Sequence, residues 1–226
     1  MPDRRGAGPS ASARLLRRAD ERYLTVGDGT STRHSFSYGA HYDPQNIGFG
    51  ALIAINTESI APGAGYDEHR HLDVEIVTWV LDGALAHRDS TGAGGVIRPG
   101  TAQRLSAGAG AEHAERNASA TEPLRFVQTM LRSRHEAAPE YDSCEVPAGP
   151  GRHEGVTVHA DARLEIVRPR EPVEVPVERR VLVHVTRGSV DVDGDVLETG
   201  DELRCEEPGG RLRMAGDGEA LVWHLA

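Results

Sequence analysis

The residues of this chain best placed to do chemistry sit in two short dyads, His69-Arg70-His71 and His113-Ala114-Glu115. In each, two potential metal ligands stand at i and i+2, and a β-strand turns such a pair to one face. Two strands side by side would converge three imidazoles and one carboxylate on a single point. Three nitrogens and one oxygen suit a divalent transition metal, and four protein ligands leave an octahedral ion two open positions. A structural zinc would instead be expected in a closed tetrahedral set, often with cysteine. The chain has only Cys144 and Cys205, which make no disulfide framework and read as ordinary thiols.

The dyads need strands to carry them, and the sequence supplies these. Apolar runs are short, β-branched and bounded by Gly, Pro, Asp or Asn, as at 51–55, 75–81 and 125–131. Long stretches with a 3.6-residue apolar period are missing, and 12–23 is the best candidate for a short helix. The pattern predicts an all-β, mostly antiparallel chain folded as a sandwich or barrel. A composition break rich in Pro, Gly and Ala lies near 133–155, and strand-like runs resume at 156–159, 164–167 and 180–185. The two halves echo each other: a strand, a tight turn at Gly83 or Gly188, a second strand, then a corner at Gly100 or Gly200. The second half contains neither His-x-His nor His-x-Glu. If it repeats the fold, it does so without the metal site. The expected division is a flexible tail over 1–19, a metal-binding domain over 20–133, a linker over 134–155 and a metal-free domain over 156–226.

Composition excludes several partners. A formal charge of −10 and a pI near 5.5 argue against nucleic-acid backbones and anionic membranes. All 25 basic residues are arginine, dispersed without a single physical role. No apolar run reaches the ~20 residues of a membrane span. Residues 1–18 lack the apolar centre of a signal peptide, so a cytoplasmic location is expected.

Here the motifs carry a family resemblance. Gly63-Ala64-Gly65-Tyr66-Asp67-Glu68-His69-Arg70-His71-Leu72-Asp73-Val74-Glu75, closing at Gly83, resembles the first signature motif of the cupin superfamily. Gly95 to Gly100, then Gln103 through His113-Ala114-Glu115-Arg116-Asn117, is similar to the second motif as the pirin family writes it. Thr32-Arg33-His34-Ser35-Phe36-Ser37-Tyr38, Tyr42-Asp43-Pro44 and His87-Arg88-Asp89-Ser90-Thr91-Gly92 extend the match over about 18–130. The resemblance implies a bicupin of two antiparallel, jelly-roll-like β-barrels, with iron in the first, held by His69, His71, His113 and Glu115. Two departures are Asp67-Glu68 before the first dyad and Thr101-Ala102 after the corner glycine. Glu75 lies where many cupins place a fourth ligand. Glu115, on the same strand face as His113, is preferred, with Glu75 as a supporting or satisfied core carboxylate.

The likeness is strongest to bacterial pirin-like proteins with quercetin 2,3-dioxygenase activity. It implies one divalent metal, iron(II) first, with nickel, cobalt, manganese, copper or zinc compatible. The implied substrates are a flavonol-like aromatic and O2, with Glu115 doubling as base, in a chain expected to be monomeric. The alternative is a non-enzymatic, metal-dependent regulatory protein with a protein partner and a redox-sensitive iron. His34 and His41 are read as hydrogen-bonded turn residues near a barrel mouth, His87 as fixing a hairpin corner, and His135, His153, His159, His184 and His224 as structural or solvated. Trp79 and Phe126 are expected in the core.

Overall fold

The computed structural model describes residues 13–226, and the first dozen residues of the expected tail lie outside it. The chain opens with β1 (Ala13–Arg17) and a 3-10 turn (Ala19–Glu21), followed by β2 (Tyr23–Val26), β3 (Thr30–His34) and β4 (Leu52–Ile60). Next come β5 (Gly65–His71), β6 (Val74–Asp82), β7 (Leu85–Asp89), β8 (Gly94–Ile97), β9 (Thr101–Ser106), β10 (Ala111–Asn117), β11 (Leu124–Arg132) and β12 (Glu140–Glu145). The second half holds β13 (Gly151–Glu154), β14 (Ala162–Arg168), β15 (Val173–Val177), β16 (Arg180–Arg187), β17 (Ser189–Val192), β18 (Asp195–Glu198), β19 (Glu202–Glu206), β20 (Gly210–Gly216) and β21 (Glu219–Leu225).

Among the described residues every strand pairing is antiparallel, in four sheets. A seven-stranded sheet, β12-β9-β6-β11-β4-β3-β2, faces the four-stranded sheet β5-β10-β7-β8. In the second half the six-stranded sheet β1-β19-β16-β21-β14-β13 faces β15-β20-β17-β18. The sheet orders correspond strand for strand except that β2, at the edge of the first long sheet, has no counterpart in the second, so the all-β double barrel expected from the sequence is what forms. The echoing glycines hold matching left-handed conformations: Gly83 and Gly188 at φ +81° and +62°, Gly100 and Gly200 at +98° and +90°. At Gly83 a Cβ would also come within 2.5 Å of the Pro123 carbonyl oxygen, so only glycine fits that hairpin.

Period-two alternation sorts the long strands into two apolar layers. One face of β6 and β11 (Val77, Trp79, Leu81, Val127, Leu131) packs against one face of β14, β16 and β21 (Leu164, Ile166, Leu182, Leu221, Trp223) in a single buried cluster. The two long sheets therefore stand back to back, and the opposite faces line the barrel interiors. A polar seam adds to the join: the Trp79 indole N–H donates to Glu219 at 2.9 Å, and Arg187 pairs with Asp82 at 2.8 Å.

Three expectations change. Residues 13–17 of the expected tail form a strand, and from residue 13 the helix expected over 12–23 is that strand and one 3-10 turn: β1 pairs with β19, Leu16 packs on the second barrel's core, and Arg14 pairs with Asp193 and Glu207. The linker stretch contains two strands, because β12 extends the first barrel's long sheet and β13 the second's. Both departures are edge strands, whose few, half-exposed residues leave little apolar signal. His34 and His87 also lie within strands, not at turns. Trp79 and Phe126 are buried as expected, and both cysteines are free. No helix among the described residues is long and apolar enough to cross a membrane.

Candidate metal centre

The two dyads lie on paired strands. In the β5–β10 register His69 stands opposite His113, Ala111 opposite His71, and Glu115 opposite Tyr66. Between His113 and Glu115 the register shifts, with Asp67 and Glu68 of β5 set against the single residue Ala114. That is a β-bulge, which bends a strand and re-aims its side chains. It gives the Asp67-Glu68 departure a structural role: the extra residue falls where the histidine and glutamate pairs must be brought to one focus.

The side chains of His69, His71 and His113 cluster with ligand atoms within 4.8 Å of one another, and Glu115 joins His113 and His87 within the same limit. The His69 Nδ1–H donates to the Asp67 carbonyl at 2.8 Å, which leaves Nε2 with its lone pair inward. The Nε2 atoms of His69 and His113 face each other at 3.1 Å. Two neutral imidazoles so placed share at most one proton, whereas donors about 2.1 Å from an ion and at right angles stand about 3 Å apart. His71 Nε2 and Glu115 Oε1 are buried with no partner. Buried polar atoms normally have partners. The residues present therefore fit one divalent metal.

The electrostatics agree. Burial, with the His69 charge adding to it, pushes His71 down to about 4. Burial, then the charges of His69, His71 and His87, pushes His113 down to about 3. Both rings are neutral at neutral pH, with lone pairs free to bind. Burial pushes the Glu115 carboxyl up to about 7, with Glu58 adding to the rise and the Gln128 amide, donating to Oε2 at 2.7 Å, opposing it. Glu115 is thus a carboxyl poised to exchange a proton near neutrality.

His87 is committed elsewhere: its Nε2 pairs with Asp89 at 2.8 Å, and its ring lies against Tyr141 and His113. Glu75 is a satisfied core carboxylate. Its oxygens accept from Ser106 Oγ at 2.7 Å, from Ser133 Oγ and from the His159 amide at 3.1 Å, at the junction of the barrels.

Above the cluster opens a cavity of about 270 Å³, whose lining includes His69, Glu115, Gln128, Met130, Tyr66, Glu58, Asn56, Tyr38 and His34. Its walls are set by their own hydrogen bonds: Tyr66 O–H and Thr32 Oγ1–H donate to Glu58 Oε2, at 2.7 and 2.6 Å, and His34 Nδ1 meets Asn56 Oδ1 at 2.9 Å. Gln128, Glu58, Asn56 and Tyr66 escape sequence reasoning. Each is an isolated polar residue whose partner is distant in sequence; only polar interruptions within apolar strands, such as Gln128 between Phe126 and Met130, hint at them.

Fold and site together define a cupin-type protein, with a barrel pocket of three histidines and a glutamate suited to a single divalent metal. The pirin family model matches residues 17–131. A putative quercetin 2,3-dioxygenase of Mycobacterium tuberculosis is 38% identical, over 93% of this chain and 94% of that protein. A quercetin 2,3-dioxygenase of Escherichia coli is 32% identical, over 93% and 97%. The crystal structure of the bacterial pirin YhhW from Escherichia coli in complex with nickel(II) superposes with a TM-score of 0.88 at 31% identity, covering 94% of this chain and 99% of that one. The chain belongs to the pirin family.

Proposed function

We propose that His69, His71, His113 and Glu115 hold one divalent transition metal, iron(II) in first place, and that the chain cleaves the ring of a flavonol-like substrate with O2. The overall change converts flavonol and O2 to a depside and carbon monoxide. The observation that carries this reading is the gathering of the ligand residues, with His71 Nε2 and Glu115 Oε1 unpartnered, beside an open cavity that His69 and Glu115 line. An open cavity over the cluster favours catalysis over the regulatory alternative, which predicts a closed mouth.

When bound, the metal would supply Lewis acidity toward a substrate hydroxyl and a shared position for both reactants. The chain's residues do the rest. The Glu115 carboxylate accepts the proton of the flavonol 3-hydroxyl, and Gln128 fixes its orientation through Oε2. The Asp67 carbonyl holds the His69 tautomer. Tyr66, Asn56 and His34 offer hydrogen-bonding groups to ring hydroxyls, while Met130 supplies an apolar wall.

The test is anaerobic purification, metal analysis and a quercetin assay in oxygenated buffer with and without chelator. Metal-dependent loss of flavonol absorbance with carbon monoxide release is expected. One bound metal with quercetin untouched would overturn the substrate. Glu115→Gln should retain some metal yet suppress turnover; survival of full activity there would remove Glu115 as base.

A further inference from the structure

Among the described residues, one other cluster outside the first barrel's pocket gathers metal-ligating groups: His135, Glu140 and His159, with ligand atoms within 4.8 Å of one another. It shares no residue with the pocket cluster. His135 follows β11 and Glu140 opens β12, both in the first barrel, whereas His159 lies in the segment leading into β14 of the second. The three residues therefore meet only because the barrels meet.

Their placement is built. The Arg134 amide donates to the His159 carbonyl at 2.6 Å, which ties the two histidine-bearing segments at the backbone, and the His159 amide donates to the Glu75 carboxylate of β6 at 3.1 Å. Gly108, at φ +47°, makes room beneath: a Cβ there would come within 2.3 Å of the Ala137 carbonyl oxygen and 2.9 Å of His135 Cδ2. The His135 and His159 rings stack with centroids 4.7 Å apart, and Glu140 Oε2 and Oε1 lie 3.0 and 3.9 Å from the Nε2 atoms of His159 and His135.

We propose that His135, Glu140 and His159 form a second divalent-cation site, of the two-histidine, one-carboxylate type that zinc occupies, stapling the two barrels at their junction. Zinc takes this ligand set with water in the open position. The half-exposed side chains of Glu140 and His159, 49% and 39% accessible, leave room for that water. Tetrahedral donors at about 2.1 Å from zinc stand about 3.4 Å apart, so the cluster closes by a small rotation of those two side chains. The ion displaces three contacts: His135 Nε2 to the Ala138 carbonyl at 2.6 Å, His159 Nε2 to Glu140 Oε2 at 3.0 Å, and Arg104 to Glu140 at 3.3 Å. Arg104 keeps a partner in the Thr157 carbonyl at 3.0 Å.

The test is zinc stoichiometry by equilibrium dialysis and elemental analysis of the full chain. The natural sequence should hold two equivalents. His135→Ala/His159→Ala should hold one, His69→Ala/His113→Ala should hold one, and the fourfold variant none. In His69→Ala/His113→Ala, added zinc should still raise Tm, because an ion bound only by the folded state stabilises it. Two equivalents retained in His135→Ala/His159→Ala would overturn the site. So would a single equivalent in the natural sequence that His69→Ala/His113→Ala removes. A single equivalent lost only with His135 and His159 would keep the junction site and instead sink the pocket assignment. Should the double alanine variant misfold, His159→Gln, at a partly exposed position, isolates the same loss in a chain whose near-ultraviolet dichroism is unchanged.

Discussion

Apart from the extra edge strand β2, the two barrels share one strand order, and they differ in what fills them. In the second, β15 and β20 take the places of β5 and β10, and they carry Val175, Val177, Leu212 and Met214 inward, all fully buried. With Val181, Val183, Val185 and Val222 these make one continuous apolar core. In the first barrel the interior breaks into two smaller clusters, one around Ile76, Leu105 and Met130, the other around Val80, Leu85 and Phe126. Between them lie Thr78, Gln128, the three histidines and Glu115. The fold does not need the first barrel's polar gap, since its twin closes on a continuous apolar core. A buried polar atom without a partner costs ~1–3 kcal/mol; the second half's four (on His184, Glu202, Trp223 and His224) gather at no ligand cluster among the described residues, whereas His71, His113 and Glu115 of the first barrel gather theirs around one pocket. Their retention makes sense where a ligand satisfies them.

The largest test of that contrast removes a ligand. His113→Ala should lower metal affinity by more than ~100-fold, beyond the 10–100-fold that supporting partners cost, and abolish turnover. Elemental analysis checks it, and full occupancy in both His113→Ala and His69→Ala would end the assignment. The counterpart in the second barrel is Leu212→Ala, which should cost about 2–5 kcal/mol in urea unfolding while leaving metal content and kcat unchanged. If Leu212→Ala released the metal, the barrels would not be functionally separate.

Much of the contrast was legible in the sequence. The i, i+2 dyads read as one strand face because a strand's period is two, and the echoing glycines read as repeated hairpins because left-handed φ selects for glycine. Neither dyad recurs after 155, which already set the second half apart as lacking that ligand set. What stayed hidden depends on long-range pairing. β1 joins a strand about 190 residues downstream, so 13–17 looks like tail until β19 is beside it. His135 and His159 have no mutual spacing to recognise, since the junction of two barrels brings them together. His87 looked like a corner because its Asp89 partner and the Tyr141 ring are visible only in the folded chain.

Proton linkage distinguishes the polar interior from the apolar one next. In metal-free protein the Glu115 carboxyl titrates near 7 against an ordinary 4.5, so the folded state keeps a proton that the unfolded state has lost. Its contribution to stability is complete below about pH 4.5 and fades as pH rises to about 7, a change of up to about 3 kcal/mol. His71 and His113 act in the opposite sense: lowered in the fold, they contribute fully above 6.5 and lose that contribution on acidification. Comparing the natural chain with Glu115→Gln isolates the carboxyl. The difference in unfolding free energy should shift toward the glutamine variant between pH 5 and 7, and a flat difference would mean that Glu115 is already ionised at pH 5.

The smallest expected effect belongs to Gln128, whose amide holds Glu115 Oε2 at 2.7 Å from the long sheet. Gln128→Leu keeps the volume and removes the donor, leaving Oε2 without its partner. Metal affinity and turnover should then fall about 10–100-fold, the usual cost of losing a group that orients a ligand. The fold should hold, because Phe126 and Met130 on either side already pack apolar neighbours. Gln128→Glu separates orientation from charge: it keeps a polar chain of the same length but sets a second carboxyl against Glu115, raising the latter's pKa further. If both variants turn over at the natural rate, Glu115 is positioned by its strand alone. The polar gap between the two apolar clusters would then serve the cavity above it and not the carboxylate.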